Sequence, residues 1–146
     1  DLFQKFCEDN GYQAVIYNAT QKKNDKLHPI YHTNVVMCVT DKYVIICLDV
    51  VRDKEERKML IRTIEKSGKE VFEITEYQMN QFSGNMLQLK NKDNESFLAL
   101  SSSAHQSLTK EQIEKLESNF KLLICEIPTI EKYGGGSARC MIAEIF

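Results

Sequence analysis

The sequence lacks the cysteine spacing that would mark a disulfide framework or a zinc site. Its five cysteines, Cys7, Cys38, Cys47, Cys125 and Cys140, form an odd set with no C-x-x-C pair. That usage fits a reduced, cytoplasmic-type compartment and buried, small-apolar roles for most of the thiols. Long hydrophobic runs are also missing. The longest stretches, such as "YVIICL", are far too short to span a bilayer. Neither sign of charge dominates: 19 basic and 21 acidic residues leave a net charge of −2, well mixed along the chain. Nucleic acid and anionic membrane are therefore not expected partners. No signal peptide opens the chain, which begins "DLFQKFCEDNGY" without an initiator methionine. That start reads as a processed chain or a fragment. What remains is 146 residues with 42% hydrophobic and 27% charged content, ordinary for one globular domain.

The most informative positive feature is an internal repeat. From Asn34, "NVVMCVTDKYVIICLDVV" reads as strand, polar turn and strand, rich in β-branched residues. "DKEERKMLIRTIEKSG" then reads as a helix. Asp53 and Glu56 have the spacing of a capping box, Leu60, Ile61 and Ile64 form its apolar face, and Gly68 ends it. "KEVFEI" follows as a strand. From Asn85 the order recurs: strand and strand in "NMLQLKNKDNESFLALSSS", a helix boxed by Thr109 and Gln112, then the strand "KLLICEI". Two ββαβ units, about 34–75 and 85–127, are flanked by partial ones at 1–20 and 137–146. The first partial unit is read as helix and strand, the last as an opening strand. Such an arrangement predicts a closed radial array, because so few repeats rarely bury enough surface alone. A plain α/β sandwich with two similar halves is the alternative.

Two residues stand out for chemistry. Cys140 follows the run "GGGSAR", where glycines free the backbone and leave room for a ligand. Arg139 beside it is placed to stabilise a thiolate. A linker followed by a buried strand cysteine is the plainer reading. His32, at the start of unit one, holds the place that Cys140 holds two units later. Equivalent positions of a radial array face a common axis, so the pair can converge as nucleophile and proton shuttle. A strand-edge histidine bonded to backbone is the alternative. His28 and His32 have a helical metal spacing, but Pro29 between them disfavours it. His105 lies in a polar segment and reads as solvated loop or helix. "GGGS" lacks the lysine of a phosphate loop, and "CLDVVR" is one residue short of a phosphatase loop. The context of a papain-like cysteine is absent too.

Taken together, "IYHTNVVMCV", "QFSGNMLQL" and "IEKYGGGSARCMIAEIF" resemble the guanidino-group modifying enzymes, or penteins. These include arginine deiminases, dimethylarginine dimethylaminohydrolases and amidinotransferases. The likeness runs along the whole chain but matches only the C-terminal half of such an enzyme, nearest to the amidinotransferase-like, citrulline-utilisation branch. It implies an α/β fold, a propeller of five ββαβ units of which about half is here, with the active site on its axis. It places the nucleophile on Cys140 and the catalytic histidine on His32. Asn34, Gly135, Gly136, Ser137 and Arg139 are the substrate-binding candidates. Many members carry an aspartate where this chain has Asn34. A neutral amide suits a neutral ureido group better than a cation, although Asn85 holds the same place in the second unit, as a shared structural role would require. The implied activity is hydrolysis or amidino transfer on a guanidino or ureido amino acid such as arginine or citrulline, without metal or organic cofactor. Acidic residues of the family's N-terminal half have no counterpart in this chain. It is therefore expected to be inactive alone and to need that half, or self-association, as its partner. The other reading is a non-catalytic assembly or binding module.

Overall fold

In a computed structural model, which describes residues 2–143, the chain builds three small sheets and a set of short helices. Helix α1 (Leu2–Asp9) comes first, followed by residues 12–19 without regular structure. The strand expected there does not form. Asn18 is instead held by Glu56, whose carboxylate accepts from its backbone N–H at 2.7 Å and from its side-chain amide at 2.8 Å. Next comes a hairpin that the sequence reading missed, β1 (Thr20–Lys23) and β2 (Lys26–Pro29). Its turn residues Asn24 and Asp25 both adopt positive φ, as a tight two-residue hairpin turn requires.

The two expected ββαβ units are present. In the first, β3 (Met37–Val39) pairs antiparallel with β4 (Tyr43–Ile46), and β4 pairs parallel with β5 (Glu70–Glu73) across helix α3 (Lys54–Lys66). In the second, β6 (Leu87–Lys90), β7 (Ser96–Ser101) and β8 (Lys121–Cys125) repeat that order, with α6 (Lys110–Glu117) as the crossover. Parallel neighbours need such a crossover, which explains why each last strand waits for its helix. Three short helices were not anticipated: α2 (Thr33–Val36) before β3, α4 (Glu76–Asn80) after β5, and α7 (Pro128–Gly134) after β8; a fourth, α5 (Ser102–Ser107) after β7, falls where loop or helix was expected. His105 lies within α5.

Helix starts follow the caps only in part. Asp53 caps α3 through bonds from the Glu55 and Glu56 N–H groups, but Glu56 turns away to Asn18, so the reciprocal half of that box is absent. Thr109 and Gln112 close a full box on α6, and Thr75 and Gln78 close an equivalent one on α4. The two boxes meet. The Gln78 amide donates to Gln112 Oε1 at 2.6 Å, and Gln112 donates to the Glu73 carbonyl at 3.1 Å.

One core serves both units. Ile45 and Ile46 from the first, and Leu98, Leu100 and Leu116 from the second, are wholly or almost wholly buried in a single cluster. Tyr43 joins them: its ring meets Phe72 at 5.7 Å and Phe120 of the second unit at 6.2 Å, both edge to face. Its hydroxyl accepts from the Asn119 amide at 3.0 Å. The units also touch through backbone. A Cβ on Gly84 would lie 2.3 Å from the Val35 carbonyl oxygen, so only glycine allows this approach.

The expected strand at 137–146 is not observed. Ala138–Met141 form a 3-10 turn, in which Cys140 N–H donates to the Ser137 carbonyl and Ile142 N–H to that of Arg139. Those bonds use the groups a strand would offer to a neighbour. Residues 144–146 lie outside the described residues. Among the described residues no helix is long and apolar enough to cross a membrane.

Burial pushes the Cys38 thiol up to about 12, with the Arg139 charge pulling the other way, and the Cys47 thiol up to about 11. An unfolded chain releases such protons from about pH 8.5. The folded chain keeps them longer, so their contribution to stability is complete below that pH and is lost as pH rises through about 11 and about 12. Urea unfolding midpoints are therefore expected to fall between pH 8 and pH 11, and to fall less steeply in Cys38→Ala.

Candidate functional site

The glycine loop is held from both sides. Helix α7 starts at Pro128, whose lost N–H costs nothing at a first helical position. It ends at Gly135, whose φ of 69° suits glycine. Beyond it, Ser137 is fully buried, and its hydroxyl donates to Glu131 Oε1 at 2.6 Å. The other oxygen of Glu131 accepts from Ser103 on α5, also at 2.6 Å. One carboxylate thus ties the loop to the second unit.

On the facing side, His32 caps α2. Its Nδ1 accepts the Asn34 backbone N–H at 3.1 Å. A neutral imidazole that accepts at Nδ1 carries its proton on Nε2. This bond fixes the ring, and Nε2 is the atom left for exchange with a ligand. Tyr31 packs edge-on beside the ring at 6.3 Å.

These two structures border one cleft of about 500 Å³. His32, Asn34, Gly135, Gly136 and Cys140 all line it, so residues at opposite ends of the sequence come together. Ser137 and Arg139 do not line it. Ser137 is the buried anchor already described, and the Arg139 charge is felt at Cys38. The hairpin supplies a further wall with Gln21, Lys23 and His28. Gln21 and His28 are directly paired across the strands, and Lys23 lies on the same face by the two-residue period. Among the described residues, Lys23 has no ion pair, and no group of three or more His, Cys, Asp or Glu side chains could hold a metal ion.

Asn34 and Asn85 do not share a role. The Asn34 side chain lines the cleft and makes no hydrogen bond among the described residues, while its carbonyl accepts from Asn85 Nδ2 at 3.2 Å. Asn85 is buried and fully engaged. Its Nδ2 lies 3.2 Å from Cys140 Sγ, its Oδ1 accepts from Ser137 N–H at 3.2 Å, and its carbonyl accepts from Arg139 N–H at 3.3 Å. Sequence reasoning marked Asn85 only as the start of a repeat. The signal available was its place one residue after Gly84, at the close approach to Val35.

The cysteine itself is exposed at the cleft, and a Cβ on Gly136 would sit 3.0 Å from both its Cβ and its Sγ. Gly136→Ala should therefore displace the sulfur while leaving the core intact. The expected result is at least a several-fold fall in Cys140 alkylation by iodoacetamide, read by peptide mass spectrometry, with an unchanged urea midpoint.

Comparison with known proteins gives a family and a fold. Residues 1–146 match a family model described as N,N dimethylarginine dimethylhydrolase, eukaryotic. No curated protein matches the sequence. Among solved structures, apo ArgZ, an arginine dihydrolase from the ornithine-ammonia cycle in cyanobacteria, superposes with a TM-score of 0.66 at 16% identity. That match covers 96% of this chain and 20% of ArgZ. The N-terminal domain of ArgZ bound to product gives 0.64 at 16% identity, covering 96% of this chain and 45% of that one. A variant of that domain covalently bound to a reaction intermediate also gives 0.64 at 16% identity, covering 96% of this chain and 46% of that one. The chain thus spans less than half of the structures it matches, and the likeness establishes a shared mixed α/β fold.

Proposed function

Because the chain belongs to the dimethylarginine dimethylhydrolase family, within the guanidino-modifying penteins, we propose that it carries the nucleophile half of an enzyme cleaving a C–N bond of a guanidino or ureido amino acid. One observation carries the reading: Cys140 and His32 border the same cleft, with Asn34 beside them.

In this mechanism the Cys140 thiolate attacks the central carbon of the substrate group and a tetrahedral intermediate forms. For this step His32 takes up the proton released by the Cys140 thiol. Nδ1 then carries a hydrogen and gives up its bond from Asn34 N–H. The imidazolium gives a proton to the departing amine through Nε2 as the C–N bond breaks. The substrate carbon stays bonded to sulfur. His32 then takes a proton from water as its oxygen attacks that carbon. Collapse of the second tetrahedral intermediate breaks the C–S bond and returns the sulfur. An amine in place of water would give amidino transfer, and family membership favours water. A covalent intermediate in a variant of the ArgZ domain is in keeping with this route.

Asn34 would orient the reacting group, and its neutral amide favours a ureido over a cationic centre. The Lys23 wall suits the carboxylate at the amino-acid end. Gly135 and Gly136 let backbone come close to the reacting centre, where N–H groups can stabilise developing charge. In a five-unit propeller, the remaining units would complete the cleft with carboxylates. A protein carrying this chain together with the remainder of the fold should form a Cys140 adduct with citrulline, arginine or a methylated arginine, detectable by mass spectrometry. Cys140→Ser should lose turnover by at least a thousandfold with the fold unchanged, and turnover retained in that variant would sink the assignment.

A second reading has its own support: the chain as an assembly module that acts only with a partner surface. Leu2 and Phe6 on α1 are 88% and 60% exposed, and Leu123 and Ile124 on the edge strand β8 are 42% and 47% exposed. Such apolar surface and an open strand edge invite another chain. Sedimentation of the isolated chain is expected to show association that grows with concentration. A monomer at all concentrations would count against this reading.

A further inference from the structure

Resting on the reading of Cys140 as nucleophile, we propose that Asn85 is the positioning residue of the sulfur, an amide that donates to the thiolate while fixing the loop that carries it. The orientation of this amide is set by its other partners. Ser137 N–H can only donate, so it faces Oδ1, and the Asn34 carbonyl can only accept, so it faces Nδ2. The second N–H of the amide is then left for Cys140 Sγ at 3.2 Å.

The same group serves the neutral thiol. Oδ1 lies 3.5 Å from the sulfur and can accept the S–H hydrogen before ionisation. After ionisation the sulfur only accepts, and Nδ2 is the nearer atom. An asparagine meets both states, whereas an aspartate would set a negative oxygen against both the sulfur and the Asn34 carbonyl. Asn85 is only 5% exposed, so little water competes for its N–H groups. Its position follows from Gly84, whose missing Cβ allows the approach to Val35 that brings Asn85 against Asn34.

The test uses the chain itself and needs no substrate. Asn85→Asp keeps the shape and removes both donors. Iodoacetamide labelling of Cys140 across pH, read peptide by peptide, should move to higher pH by about one to two units, because a hydrogen bond to a charged group is lost and a like charge gained. Asn85→Ala, which loses donor and acceptor but adds no charge, should move it less. Cys125, a half-buried thiol whose sulfur meets the Leu123 carbonyl and not the amide, serves as the reference and should not move. If Cys140 labelling in folded Asn85→Asp coincides with the native profile, the proposal is overturned.

Should the variants fail to fold, the native chain decides. The side-chain amide resonance of Asn85 in a ¹⁵N spectrum should shift with Cys140 ionisation and stay still in Cys140→Ala. An Asn85 resonance unmoved in the native chain overturns the proposal equally. These readouts are independent of turnover: a chain that forms no substrate adduct can still show the amide effect, and the reverse also holds.

Discussion

A single buried amide joins three stretches of chain that lie far apart in sequence. Asn85 holds the carbonyl of Asn34, the N–H of Ser137 and the sulfur of Cys140 within hydrogen-bond distance. Burial makes each bond costly to lose, because an unpaired polar group in that position has no water to turn to. The two repeats bury a common core around Tyr43, but apolar packing tolerates small shifts. The directional bonds of the amide fix where the glycine loop sits relative to the histidine turn. The shared cleft depends on that fixed relation more than on any single sheet.

Around this point the supporting choices fall into order. Gly84 permits backbone contact with Val35, and Gly136 leaves the sulfur its space. Glu131 anchors the loop through two serines, and the Asn34 N–H holds the His32 ring. Together these contacts bring Cys140 and His32 to one cleft. The cleft is open, with an exposed cysteine along its walls and a lysine, Lys23, that has no ion pair among the described residues. An open cleft suits a chain that spans less than half of the structures it matches.

Much of this was legible in the sequence where local rules govern. The order of strands and helices in both units followed from apolar periodicity, and the Thr109–Gln112 box marked α6 correctly. The misses have physical causes. The hairpin is built from lysine, glutamine and histidine, with no apolar alternation and no glycine in its turn. Helix α2 contains two valines, poor helix formers, and exists because His32 caps it and its core side buries Val36. The signals for α4 and α7 were present, a Thr75–Gln78 box and Pro128 at a helix start. Glu56 had the spacing of a box partner, but a better partner, Asn18, lay nearby only in the folded chain. The last segment has the alternation of a strand, yet the backbone groups of Ser137, Arg139, Cys140 and Ile142 are spent in a turn beside Asn85. The convergence of His32 and Cys140 was expected from the repeat, and both line the cleft, whereas the bonds of Asn85 to Asn34, Ser137 and Cys140 run between segments far apart in sequence.

The meeting of the two capping boxes bears on how the molecule comes apart. In stacked repeats whose neighbours touch only through apolar faces, one unit can fray while the next persists. Here Gln78 completes the start of α4 and also donates to the glutamine that completes the start of α6. Fraying the start of α6 takes a partner from the buried Gln78 amide, and fraying α4 takes one from the half-buried Gln112. The polar seam therefore couples the starts of α4 and α6, so that opening one end weakens the other.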